Sequence, residues 1–250
     1  MQRFIASFAF CLLSTVAGAT EYSSVLTWSQ RVVLSTPASG VVSATPVDAG
    51  TRVNQGQLLV QLDDRPFKSA LRDATAQAHK YKLNRDEAER ELARTRELYD
   101  RRVISVHDLQ LQEIAFASAE SDYASAQAAV DTARLNLEYS SVRAPFAGLV
   151  LEVAVAPGQT VINTQQASPM VTLARARPMT AVAKVEAGAL AGLSAGQAAT
   201  IQVDGQRYSG QVLQVGAEPD ADGRYAVQVS FDPGDTLLRA GRPARVEIGP

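Results

Sequence analysis

Two stretches of similar length, on either side of residues 100–106, repeat their apolar residues in sevens and contain no glycine and, after Pro66, no proline. In the second, Leu109, Phe116, Tyr123, Val130 and Leu137 fall seven apart, with Gln112, Ala119, Ala126 and Ala133 three residues after the first four. That is the seam of a coiled coil, alternating large and small side chains. The first stretch gives Leu71, Ala74, Ala78, Tyr81, Arg85, Ala88, Leu92, Thr95 and Tyr99 in steps of three and four, with Arg85 and Thr95 as its weak points. Both are rich in Ala, Leu, Glu, Arg and Gln, and Pro66 sits where a first helical turn tolerates it. The spacing therefore predicts two long helices over 66–140. A stripe this narrow buries against one partner only, and the short connection makes that partner the antiparallel neighbour. At about 1.5 Å per residue each helix is a rod of roughly 50 Å, expected to project from whatever carries it.

What carries it is written on both flanks. The segment PASGVVSATPVDAGTRV, from Pro37 to Val53, aligns with PFAGLVLEVAVAPGQTV, from Pro145 to Val161, at a constant offset of 108 residues. Pro37 matches Pro145, Gly40 matches Gly148, Val47 matches Val155, Gly50 matches Gly158 and Val53 matches Val161. This is an internal repeat. In each copy a glycine precedes an apolar strand and a second marks a turn, so Gly40, Gly50, Gly148 and Gly158 are read as the structural turns of the repeat. A further short strand follows each copy, Gln57 to Leu62 and Met170 to Ala174. Neither half has strands enough to bury a core alone, so the halves are expected to pair, with the helices inserted between them. Asp63 and Ser141 should then lie side by side.

Tyr22 to Ser35 has the composition of one or two strands, and Trp28 within it reads as core. After Pro178 come short strands at Thr180–Val185, Ala198–Val203, Tyr208–Val215, Tyr225–Phe231 and Ala244–Ile248, separated by Gly-, Asp- and Pro-rich turns. Even spacing of this kind predicts a small barrel. The fold class is α+β. A helical hairpin over 66–140 is inserted in a split β-domain (37–65 and 141–177), followed by a β-barrel at 178–250 to which 20–36 contributes.

Residues 1–19 read as a secretory signal, with an uncleaved N-terminal anchor as the competing reading: Arg3, an apolar run from Phe4 to Val16, and Ala17-Gly18-Ala19 for cleavage. The single cysteine, Cys11, lies inside that segment and is not read as a lipidation site. The chain after Thr20 then has no thiol and no lipid anchor. Without Arg3 the balance is 23 basic against 26 acidic residues, which gives no electrostatic reason to expect nucleic acid. No later apolar run reaches the ~20 residues of a membrane helix.

Chemistry is hard to find. His79 and His107 are the only histidines, and neither stands at ligand spacing from a carboxylate pair. Asp220-Ala221-Asp222-Gly223 lacks the remaining ligands of a calcium loop and reads as a turn. Nucleophile elbow, phosphate loop and dinucleotide fingerprint are all missing. The repeat looks like a lipoyl or biotinyl fold, yet neither half holds the lysine that carries such a cofactor. The chain is read as having no catalytic residue, metal site or cofactor.

With these segments in view, the chain resembles the periplasmic adaptor subunits, or membrane fusion proteins, of bacterial tripartite efflux pumps. The resemblance rests on VDAGTRVNQGQLLVQLDD (47–64), SVRAPFAGLV (141–150) with VAPGQTV after it, and AGQAATIQV followed by YSGQVLQV. It covers nearly all of the chain after the signal, in the right order. It implies a non-enzymatic protein of the periplasm, peripheral to the inner membrane, linking an inner-membrane transporter of the resistance-nodulation-division type to an outer-membrane channel. It also implies self-association in a ring, a hexamer. An ATP-driven exporter or type I secretion system is the alternative assembly. The family's hairpin tip carries an Arg, a Leu four residues on and a Ser seven beyond, and Arg94, Leu98 and Ser105 match that spacing. By resemblance these three meet the channel. The residues agree in part: Arg94, Arg96, Arg101 and Arg102 read as a basic tip suited to carboxylates, while Ser105 also reads as the cap of the second helix, with Asp108 three residues later. One departure is expected. Many members add a membrane-proximal domain for which little sequence is left here, and this leaves the barrel to meet the transporter.

Overall fold

The computed structural model describes residues 20–163 and 167–249. The signal reading, Cys11 included, lies outside them. The chain divides into two compact units, residues 31–174 and a second made of residues up to 30 together with 175–250.

Strand β1 (Thr20–Leu34) opens the chain as one continuous strand. In the first unit it is followed by β2 (Gly40–Ala44), β3 (Arg52–Val53) and β4 (Leu58–Leu62). Helices α1 (Arg65–Asp100) and α2 (Val106–Tyr139) come next, then β5 (Ser141–Arg143), β6 (Gly148–Val153) and β7 (Thr160–Val161). Strand β8 (Val171–Val185) completes this unit with its first residues. The repeat folds by exchanging strands between its copies. Gly40 pairs with Val161 across β2 and β7, and Gly148 pairs with Val53 across β6 and β3. The turns are swapped in the same way. The Gly50 N–H donates to the Val150 carbonyl at 2.7 Å, and the Gly158 N–H donates to the Val42 carbonyl at 2.8 Å. Each half thus supplies the hydrogen bonds the other lacks, and Val42, Val47, Val53, Leu59, Leu62, Val150, Val155, Val161, Met170 and Leu173 bury one shared core.

Of the four glycines read as turns, Gly50 (φ 89°) and Gly158 (φ 87°) are turn residues in the left-handed region. Gly40 and Gly148 are not. Each is the first residue of a strand, and only Gly148 needs to lack a side chain, because a Cβ there would lie 2.3 Å from the Ala174 carbonyl oxygen. At Gly40 the nearest atom would be 3.7 Å away, an ordinary contact.

The helices start and end on this core. Gln61 pairs with Ser141 across β4 and β5, so the chain leaves and re-enters the sheet at neighbouring positions. The Leu62 N–H donates to the Ser140 carbonyl at 2.8 Å, the Thr36 hydroxyl to the Tyr139 carbonyl at 2.6 Å, and Phe67 packs on the core from the first turn of α1. Beyond that base the helices bury little except each other. The partly or fully buried positions of α2 between Leu109 and Leu137 are the nine predicted seam residues, and in α1 the seam from Leu71 to Thr95 is buried likewise. Tyr99 departs from it, at 38 % exposure, because it stands in the last turn before the chain leaves the helix.

In the second unit β8 continues to Val185, followed by β9 (Ala198–Val203), β10 (Gln206–Pro219), β11 (Tyr225–Phe231) and β12 (Pro243–Ile248). The order is β1-β12-β9-β10-β11-β8, and β8 pairs back to β1, so the strands close on themselves. Leu26, Met179, Ile201, Val227, Val229, Phe231 and Val246 fill the interior, with Trp28 half-buried against them. Strand β8 runs unbroken through Pro178, where the sequence pattern reads as a break. Pro178 is exposed and lies between the β6 ladder, ending at Ala174, and the β11 ladder, beginning at Met179, so neither of these two needs its missing N–H. The Asp220–Gly223 segment is the predicted turn. The Asp220 carboxylate accepts the N–H groups of Asp222 and Arg224 at 2.9 and 3.0 Å and pairs with Lys184 at 2.6 Å. Those bonds, that of Lys184 first, pull Asp220 down to about 2.

Candidate functional site

The apex joining α1 to α2 is built by two complementary end structures. The Val103 N–H donates to the Leu98 carbonyl at 2.9 Å and the Arg102 N–H to the Tyr99 carbonyl at 2.8 Å, which is the Schellman arrangement that closes a helix. It requires a left-handed residue, and that residue is Arg102, with φ 60°. Glycine usually occupies this position, and a side chain there costs about 1 kcal/mol. Three residues further on, Ser105 is extended (φ −80°, ψ 160°) and caps α2. Its Oγ accepts the Asp108 N–H at 3.2 Å, while the Asp108 carboxylate accepts the Ser105 N–H at 3.1 Å. This is the capping box read from the sequence.

The Ser105 hydroxyl also donates to Asp108 Oδ2 at 2.7 Å. That bond, with the backbone bond second, lowers Asp108 below the ordinary carboxylate range. The hydroxyl proton is committed inside the hairpin, so what Ser105 offers a partner is a remaining lone pair. Leu98 is 41 % exposed and does not pack into the seam. Arg94, one turn before it, is held by Glu91 at 2.9 Å and Glu87 at 3.2 Å. The structure thus places the three predicted residues on the last turns of α1 and at the start of α2.

Three of the four arginines read as a basic tip are paired within the hairpin. Arg96 reaches across to Glu113 on α2 at 3.3 Å, and Arg101 is bound to Glu97. Over residues 87–114 five arginines stand against seven carboxylates. That outer part of the hairpin is acidic by two charges, while the tip itself, 94–105, carries four arginines against Glu97 and Asp100. The surface of the outer part is also apolar: Val103 is 66 % exposed, Val106 54 % and Ile114 66 %. The signal for these residues was present as Val103-Ile104 and Val106, an apolar run where a polar loop is expected.

Among the described residues no group of three or more His, Cys, Asp or Glu could hold a metal ion, and no helix is long and apolar enough to cross a membrane.

Residues 31–173 match the family model described as RND MFP, barrel-sandwich hybrid domain, where MFP stands for membrane fusion protein. The macrolide export protein MacA of Escherichia coli O157:H7 is 31 % identical over 240 residues, 88 % of this chain and 64 % of that protein. The multidrug resistance protein MdtA of Yersinia enterocolitica serotype O:8 is 32 % identical over 154 residues, covering 62 % of this chain and 34 % of that protein. The chain therefore spans less than two thirds of the length of either relative. A crystal structure of a MacA–MexA chimera, containing the Pseudomonas aeruginosa MexA α-hairpin domain, aligns with a TM-score of 0.70 over 94 % of this chain and 79 % of that one. At 21 % identity that likeness concerns the fold.

Proposed function

We propose a function from one premise, that the chain belongs to the membrane fusion protein family: it is an adaptor of an efflux pump, working in the periplasm between an inner-membrane transporter and an outer-membrane channel. The observation that carries this reading is the hairpin. Two helices of 36 and 34 residues bury little beyond their own seam and end in an apex with exposed apolar side chains. Nothing in a self-contained protein requires a rod of about 54 Å capped in this way. It is the form of a part that reaches a partner.

In this reading Arg94, Leu98 and Ser105 touch the channel. Leu98 supplies apolar contact, Ser105 an acceptor, and Arg94 a cation that exchanges its own carboxylates for those of the partner. Copies of the chain associate in a ring, a hexamer, and the conduit they line is sealed and coupled without chemistry by the adaptor itself. The transporter is of the resistance-nodulation-division type, in keeping with the matched domain. A second reading, an adaptor of an ATP-driven exporter, is favoured by the longer of the two alignments, that with a macrolide export protein.

The test is co-purification of the full chain from envelopes, followed by identification of the transporter and channel that accompany it. Replacing Arg94, Leu98 and Ser105 together by alanine should remove the channel and leave the transporter. Retention of the channel by that variant refutes the assignment of the tip, and capture of an ATP-binding transporter selects the second reading.

A further inference from the structure

We infer that Arg102 is the residue with which the hairpin apex grips a carboxylate on its protein partner. The inference rests on the reading that the apex meets an outer-membrane channel, and names the group that makes the contact selective.

Arg102 occupies the one left-handed position of the apex, where glycine would close the helix without strain. Its backbone closes α1, but a side chain held there against the backbone preference points to a reason outside the hairpin. Arg94, Arg96 and Arg101 are each bound to a carboxylate within the hairpin. Among the described residues Arg102 enters no ion pair. It is also the cation with the most apolar surroundings in sequence, between exposed Leu98, Val103 and Val106. When such a surface is covered, water leaves and a charge pair formed there strengthens. The guanidinium fork suits a carboxylate, which it binds through two parallel N–H groups.

A phosphate headgroup has the same chemistry, but the acidic stretch behind the tip weighs against it. With seven carboxylates against five arginines over residues 87–114, an anionic bilayer surface gains nothing from approaching. The carboxylate belongs to a protein.

The experiment compares full-length wild type, Arg102→Gly, Arg102→Lys and the Arg94/Leu98/Ser105 triple alanine variant. Each is titrated with the outer-membrane channel that wild type captures, purified in detergent, and with vesicles of phosphatidylglycerol and phosphatidylethanolamine. Glycine is the residue the turn prefers, so Arg102→Gly should unfold at the wild-type temperature or higher while binding the channel about tenfold or more weakly. Arg102→Lys should bind between the two, and added salt should weaken wild type more than Arg102→Gly. Channel binding by Arg102→Gly equal to wild type overturns the inference. Vesicle binding that depends on Arg102 overturns it too, in favour of lipid. If wild type captures no channel, the function reading itself fails. If the triple variant loses the channel while Arg102→Gly keeps it, only the role of Arg102 fails.

Discussion

Gly40 and Gly148 are equivalent in sequence, and substituting each by alanine should give opposite results. At Gly148 the new Cβ would stand 2.3 Å from the Ala174 carbonyl oxygen and 3.2 Å from its carbon. Normal separation for such atoms is about 3.3–3.6 Å, so β6 and β8 must part by about 1 Å. The obstacle is backbone on both sides, and Leu149 pairs with Ala174 in the adjoining register. No rotamer relieves it. Overpacking against backbone destabilises by about 3 kcal/mol, at the upper end of the usual range. At Gly40 the nearest atoms belong to the Leu62 side chain at 3.7 and 3.9 Å, and the backbone is not left-handed. There Gly40→Ala should stabilise by about 0.5 kcal/mol, through a less flexible unfolded chain. Because α1 and α2 lie in the same unit, circular dichroism at 222 nm during heating reports on it, with calorimetry to separate the barrel transition. Gly148→Ala should lower that midpoint by about 10 °C, and Gly40→Ala should leave it unchanged or raise it slightly. Equal shifts in the two variants would refute the argument from close approach.

Ser24 is 3 % exposed with an Oγ that finds no hydrogen-bond partner, so Ser24→Ala should raise the stability of the barrel by about 1 kcal/mol in urea titration. Asp220 is held at about 2, below the ordinary value of 3.8, so its contribution is present above pH 3.8 and is lost as pH falls towards 2. Barrel stability measured between pH 5 and 2 should fall less steeply in Asp220→Asn than in wild type. Deleting residues 79–85 together with 124–130 removes one heptad from each helix at matching heights and shortens the rod by about 10 Å. The variant should fold, with helical dichroism reduced in proportion, yet fail to hold transporter and channel together in co-purification.

The sequence made the periodic parts of the fold legible. Seam residues Leu109 to Leu137 are buried as their spacing requires, and the strands Ala198–Val203 and Tyr225–Phe231 have the predicted limits. The repeat also told that the halves must pair, because too few strands were available to either. What it could not tell was how, since exchange of β3 and β7 between copies depends on which backbone groups remain unsatisfied after folding. Gly148 was misread for the same reason: a glycine needed for close approach looks like one needed for a turn, while Gly40 needs neither. At the apex, counting arginines does not show that Glu87, Glu91, Glu97 and Glu113 pair with Arg94, Arg96 and Arg101, at one- or two-turn spacing or across the hairpin.

Arg85 shows how a flaw in a pattern acquires a purpose in three dimensions. In the seam of α1 it stands where an apolar residue is expected, and its Nε is buried without a hydrogen-bond partner. Its guanidinium lies over the Tyr123 ring at 5.3 Å and reaches Asp86 at 2.7 Å, so the charge is partly compensated. Leucine there would pack with less loss. A seam of alanines and leucines, however, tolerates sliding by a whole heptad, which would move every later contact by about 10 Å. Arg85 fits only opposite an aromatic face, and Tyr123 is the aromatic residue at that height, while Phe116 and Leu137 lie a heptad or more away. Arg96 and Glu113, eleven and ten residues nearer the apex, form the second pair in nearly the same register. Together they tie α1 and α2 to one register. The stability given up at Arg85 is thus in keeping with polar seam residues that set register in other coiled coils.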